Sequence, residues 1–163
     1  MGRPSGPPIF SLCRKAPSCA GCAANAGAAY DANDLTLGAS EAEIKKNFPN
    51  AYCRELEWPS RAAERRCDDS RISFAGVDAS VTFYLKRGAV EGFDVRFDRR
   101  ELARVKDFLV KRYGKPASEG ETPPAVEWQA VGERARLSAE QGRRRASLLV
   151  WRGAFDQEIY KIR

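Results

Sequence analysis

Apolar and polar residues alternate through two adjoining stretches of the chain. In ASVTFYLKRG, Val81, Phe83 and Leu85 share one face, and Thr82, Tyr84 and Lys86 take the other. In GFDVRFD, Phe93, Val95 and Phe97 alternate with Asp94 and Arg96. A period of two places successive side chains on opposite faces of a strand, so each stretch predicts a strand buried on one side. Lys86-Arg87-Gly88-Ala89 lies between them and predicts a hairpin turn. Later, AVEWQAVG, RARLSAE and ASLLVWR predict three more strands, with a turn at Gln141-Gly142.

The period changes to helical in two places. LTLGASEAEIKKNFPN predicts a short strand at Leu35, a glycine turn, and a helix opened by Ser40 and Glu43. In that capping box the hydroxyl accepts a helix N–H and the carboxylate reaches back to the cap's own N–H. Pro49 ends the helix. A second box is predicted at Asp98 and Glu101. Leu102, Val105, Leu109 and Tyr113 follow at helical spacing, with Phe108 beside them, and Gly114 and Pro116 stop the helix.

Sliding the chain along itself by about 54 residues superimposes Phe74 on Trp128, Phe83 on Leu137, Gly88 on Gly142, Val95 on Leu149 and Phe97 on Trp151. Each half has one-sided strands and one amphipathic helix, and neither buries its apolar face alone. The prediction is an α+β fold: one antiparallel sheet with two helices packed on one face, built of tandem helix-plus-strands units. Phe83, Leu85, Val95, Phe97, Leu137, Leu149 and Trp151 are expected to face the helices.

Residues 1–33 look different. They are rich in Gly, Pro, Ala, Ser and Cys, with few large apolar residues beyond Ile9, Phe10 and Leu12. They predict a disordered tail or a processed segment, leaving 34–163 as a single α+β domain of two similar halves. The formal charge of +6 favours acidic partners without choosing among them. The chain has no histidine, which excludes a serine or cysteine hydrolase with a histidine base. It also has no apolar run long enough for a transmembrane helix.

The cysteines bear on the compartment. Cys53 and Cys67 flank a polar stretch containing Pro59 and Ser60, and their own neighbours, Arg54, Arg66 and Asp68, are polar. That context suits a disulfide better than two small hydrophobes. A bridge closing this loop contributes about 3 kcal/mol in the chain-entropy model and implies an oxidising compartment. Cys19-Ala-Gly-Cys22 has three readings. A redox pair needs a helix N-terminus to lower a thiol pKa. A zinc site would use Cys13, Cys19 and Cys22 with a distant fourth cysteine. The third reading is a bacterial lipoprotein cleavage site: small residues precede Cys22, which becomes the acylated N-terminus, and Ala23 to Asn33 forms a tether. Upstream, residues 1–17 supply Arg3, Arg14 and Lys15, with only the short apolar run Ile9–Leu12.

LTLGASEAEIKKNFPN resembles the opening motif of the SmpA/OmlA family of outer-membrane lipoproteins, with Leu35, Gly38, Ser40, Glu43 and Ile44 at the corresponding places. ELARVKDFLVKRYGKP repeats the theme and ends in Gly114-Lys115-Pro116. The tandem units also resemble the β-lactamase-inhibitor-protein-like fold. The resemblance covers about residues 35–151. It implies a periplasmic binding or scaffold domain, possessing no catalytic activity and anchored by lipid to the outer membrane.

The expected function is a non-catalytic envelope interaction module that meets envelope proteins or an anionic lipid surface. Thr82, Tyr84 and Arg96 would face outward as partner-binding residues. The alternative is a nucleic-acid-binding domain, with Arg143–Arg145, Arg134, Arg136 and Trp128 as a basic stacking platform. Glu127, Glu133 and Glu140 interleave there and weaken the field. An enzyme is the least favoured class. Asp98 reads as a helix cap and Asp68-Asp69 as a turn, and no phosphate loop or metal-ligand cluster is evident, so no cofactor or metal is expected.

Overall fold

The computed structural model describes residues 29–58 and 60–155. Two very short strands, β1 (Asp31–Ala32) and β2 (Leu35–Thr36), form a hairpin. Its two-residue turn holds Asn33 and Asp34 at φ 47° and 72°, left-handed values that short polar side chains tolerate. Helix α1 (Glu41–Asn47) follows, and then β3 (Tyr52–Glu55), β4 (Arg65–Phe74), β5 (Val77–Lys86) and β6 (Ala89–Asp98). A 3-10 turn (Arg99–Glu101) leads into α2 (Leu102–Tyr113). Strands β7 (Ser118–Glu121), β8 (Pro124–Ala130), β9 (Glu133–Ala139) and β10 (Arg145–Trp151) complete the described chain.

The fold is α+β. All eight strands from β3 to β10 join one antiparallel sheet in the order β3-β4-β5-β6-β10-β9-β8-β7. Each half is a four-strand meander preceded by a helix. The two meanders meet through their last strands, with β6 and β10 paired from Arg145↔Asp98 to Trp151↔Gly92.

The face carrying Phe83 and Val95 is here called the inner face. Its side chains share one core with Ile44 and Phe48 of α1 and with Val105 and Leu109 of α2. The Phe48 ring lies 5.1 Å from Phe83, and Phe108 lies edge-on to Phe74 at 5.7 Å. At Trp128 the apolar ring is 1% exposed, and its Nε1 donates to the Gly114 carbonyl at 2.9 Å, which satisfies the one polar atom taken inside.

Both bonds of the first capping box form. Glu43 N–H donates to Ser40 Oγ at 3.2 Å, and Ser40 N–H donates to Glu43 Oε2 at 2.7 Å. The second box does not. Asp98 accepts instead from Arg100 N–H at 2.8 Å, and caps the 3-10 turn that precedes α2.

Three further expectations are corrected. Leu149 and Trp151 lie on the outer face, and Leu148 and Val150 take the inner positions of β10. The reason is a bulge: Tyr84 pairs with Gly92 but Leu85 with Val90, leaving Glu91 as an extra residue. The β9–β10 pairing has no such shift, so inner positions fall on opposite parity in β6 and β10. Asp68 and Asp69 are strand residues of β4 rather than a turn. Finally, the folded unit takes in residues before position 34. Tyr30 and Ala32 are buried, the Tyr30 ring lies 4.7 Å from Tyr113, and Tyr113 Oη donates to the Asp31 carbonyl at 2.7 Å. Arg112 clamps the same hairpin through both carboxylate oxygens of Asp31, at 2.8 and 2.6 Å.

Candidate functional site: the outer face of the sheet

Three cross-strand rows make up the outer face, and the strand register defines them. The middle row runs Asp68, Thr82, Asp94, Leu149, Arg136 and Glu127. Opposite charges and hydroxyls meet along it. Thr82 Oγ1 donates to Asp68 Oδ1 at 2.7 Å, and Arg66 donates to both oxygens of the same carboxylate. Arg96 Nε donates to Asp94 Oδ2 at 2.9 Å, and Arg136 Nε to Glu127 Oε1 at 2.7 Å. Burial pushes the Asp68 carboxyl up, but the hydrogen bonds from Arg66 and Thr82 outweigh it and hold it below its ordinary value. Asp68 is therefore an ionised acceptor at neutral pH.

The upper row runs Arg54, Arg66, Tyr84, Gly92, Trp151 and Arg134. At the centre of this row the face is apolar and covered, while Arg54 and Arg134 at its ends are exposed. Tyr84, Trp151, Leu149, Leu56, Ala63 and Phe155 form a second buried cluster. The Phe155 ring sits 5.3 Å from Tyr84 and directly on Gly92, where a Cβ would lie 2.7 Å from its Cε1. Only a glycine leaves room for that ring. Two guanidiniums border the cluster, Arg66 at 5.6 Å from the Tyr84 ring and Arg136 at 5.0 Å from the Trp151 ring.

The lower row runs Ser80, Arg96, Ser147 and Ser138. It opens into a groove of about 520 Å³ lined by Arg96, Ser138, Glu140, Ser147 and Arg143–Arg145. A second groove of about 620 Å³ adjoins it past Asp98 and Arg104, with Arg96, Arg144 and Arg145 common to both.

The sequence-derived residues fare differently. Thr82, Tyr84 and Arg96 all lie on the outer face, as the alternation requires. Thr82 and Arg96 belong to its polar part, and the Arg96 side chain is 42% exposed. Tyr84 is 1% exposed, packed against Phe155, so in this structure it is no surface anchor. Cys53 and Cys67 are joined in a disulfide. They sit opposite one another on β3 and β4, and Cys67 is fully buried in the main core. Their polar neighbours misled about context: Arg66 and Asp68 point outward while Cys67 points in. Glu41 approaches this pair, the three potential ligand atoms lying within 4.8 Å of one another. Bonded to each other, though, the sulfurs offer no thiolate to a metal. The basic stacking platform is not assembled, because Trp128 faces the core and Arg134 and Arg136 the opposite side. Cys13, Cys19 and the lipid-attachment residue Cys22 lie outside the described residues. No described helix is long and apolar enough to cross a membrane.

Sequence reading missed Arg66, Asp68, Glu127 and Arg136 as members of one ion-paired surface. The signal was present as alternation, in Arg66-Cys67-Asp68 and in Glu127-Trp128, where charge and core residues take turns. Comparison with protein families, with curated proteins and with solved structures finds no match to this chain.

Proposed function

We propose that this chain is a non-catalytic interaction module of the bacterial cell envelope, exported to the periplasm and tethered to the outer membrane by lipid at Cys22. The observation that carries the reading is the disulfide between Cys53 and Cys67. Such bridges persist in oxidising compartments and are rare in the cytosol. The two-fold arrangement of helix-plus-meander units supports the likeness to SmpA/OmlA-type domains. With residues of both helices in the core shared by the inner face, the outer face is left to meet an envelope protein or an anionic surface. Its polar part, around Thr82 and Arg96, presents charges already held in place by partners, which lowers the ordering cost of a contact.

Fractionation of the native source, with thiol counting under denaturing, non-reducing conditions, tests this reading. The expected result is an envelope fraction in which Cys53 and Cys67 resist alkylation, and an acyl chain on Cys22 by mass spectrometry. Cytosolic protein with both thiols free overturns it.

A further inference from the structure

We propose that the lower end of the outer face is a binding site for a phosphate dianion, either free phosphate or a phosphomonoester. The inference rests on the reading of this face as a binding surface and narrows it to one ligand chemistry. Its basis is the balance of charge around the 520 Å³ groove. Four arginines line it, and two of them are already engaged. Arg96 is held by Asp94 at 2.9 Å, and Arg143 by Glu140 at 3.3 Å. Arg144 and Arg145 make no ion pair with any described carboxylate, and both are exposed.

Four acidic groups border this pair, Glu140 in the first groove and Asp78, Asp98 and Glu101 in the second. Asp98 stands opposite Arg145 in the register. Its carboxylate is occupied by Arg100, through the guanidinium at 3.0 Å and the backbone N–H at 2.8 Å. Glu140 is spent on Arg143, and its backbone carbonyl accepts from Arg99 at 2.7 Å. Among the described residues, Arg144 and Arg145 thus remain without an ion pair at the rim of the first groove, with Asp98 acting on Arg144 only through space.

The rest of the lining suits an oxyanion. Ser147 and Ser138 face each other across β10 and β9, and Ser147 is opposite Arg96 on β6. Their hydroxyls can donate to a tetrahedral anion that guanidinium forks approach from the turn. Arg145 Nη1 stands 3.4 Å from Ser80 Oγ, a long contact with a neutral group that an anion would readily displace. The backbone beneath is fixed, since Arg99 N–H donates to the Arg144 carbonyl at 2.8 Å and ties the β9–β10 turn to the end of β6. The site is therefore built on ordered strands, with two guanidiniums at its rim that make no ion pair among the described residues. The second groove is a poorer candidate, because Asp78 and Glu101 add negative charge there.

Titration of the purified full chain with inorganic phosphate, pyrophosphate and glycerol phosphate at constant ionic strength tests the proposal. Isothermal calorimetry and arginine side-chain NMR would read binding. Saturable binding is expected, weakened at least 10-fold in Arg144→Ala/Arg145→Ala and by a smaller factor in Ser147→Ala. The control Lys111→Ala/Lys115→Ala removes the same charge from exposed positions elsewhere and should change affinity less than two-fold. Binding of inorganic phosphate alone identifies the free ion as ligand, and preference for glycerol phosphate identifies an ester. Equal losses in the lysine control, no saturable binding of any phosphate, or binding only to an oligonucleotide or to phosphatidylglycerol vesicles overturns the proposal. None of these results depends on the compartment, so failure here is separable from failure of the envelope reading.

Discussion

The two outermost strands of the sheet are protected in opposite ways. Strand β3 is stapled: Cys53 is bonded to Cys67 of β4, on the side facing the core. Strand β7 has no staple and no apolar residue. It reads Ser-Glu-Gly-Glu, all four residues are exposed, and one ion pair, Lys106 to Glu119 at 3.4 Å, links it to α2. A free edge invites pairing with another chain; charge answers that hazard at β7, whereas the bridge at β3 holds the edge strand to its neighbour. The difference shows that the two halves share an architecture and a core, whereas the means of closing each end are local.

If the shared core dominates, the largest effect should come from Trp128→Ala, which opens a cavity among buried neighbours and strips a donor from the Gly114 carbonyl. A loss of about 3–5 kcal/mol is expected, measured by urea unfolding as one transition. Two separate transitions would break the idea of a common core. Next comes the staple. Cys53→Ala/Cys67→Ala, or reduction of the native chain, should cost about 3 kcal/mol, with β3 amides losing hydrogen-exchange protection before those of β7. Equal loss at both edges would show that the tie is not local.

A smaller effect belongs to the start of the first half. Ser40→Ala removes one bond of the α1 capping box and should lower stability by about 1 kcal/mol, seen as a shift of the urea midpoint at constant slope. Asp68 adds a pH dependence. Its folded pKa is held below the ordinary carboxylate value, so the unfolded chain takes up that proton first. Its stabilisation is complete above the ordinary carboxylate range and is lost as pH falls through the depressed folded value. Asp68→Asn should flatten that part of the acid limb, and an unchanged limb would show that the Arg66–Asp68 pair contributes nothing. The smallest change in stability, within about 0.5 kcal/mol, is expected for Glu119→Val. Sedimentation should instead show self-association, because the substitution makes the charged edge apolar.

Much of the sheet was legible. Strands β5, β6 and β9 announce themselves because one face is buried and the other wet, which writes a period of two into the residues. Helix α1 was readable from Ser40 and Glu43, because its cap is local chemistry. Strands β3, β4 and β7 were not readable. Their residues are polar, and what makes them strands is pairing with neighbours distant in sequence, such as Arg66 with Tyr84. The orientation of β10 was misread for a similar reason. A run as apolar as Leu148-Leu149-Val150-Trp151 has no internal marker of which side is in, and the deciding bulge lies at Glu91, on another strand. Within the candidate site, Thr82 and Arg96 could be assigned to the outward face from alternation alone. The burial of Tyr84 could not, because it depends on Phe155 crossing from the far end of the chain. Arg144 and Arg145 were visible as a basic run. Their lack of an ion pair among the described residues was not, since that requires knowing that Asp98 and Glu140 are already engaged.

The placement of β10 has a consequence for how the protein is made. The last described strand to leave the ribosome goes to the middle of the sheet, beside a strand that precedes it by some fifty residues. Until it arrives, β6 has a bare margin and neither half is sealed. Contacts of such long sequence separation slow folding, so a growing chain halted before Trp151 should be a ready client for holding chaperones. On the proposed envelope reading, export in an extended state would postpone that vulnerable interval until the whole sheet can close at once.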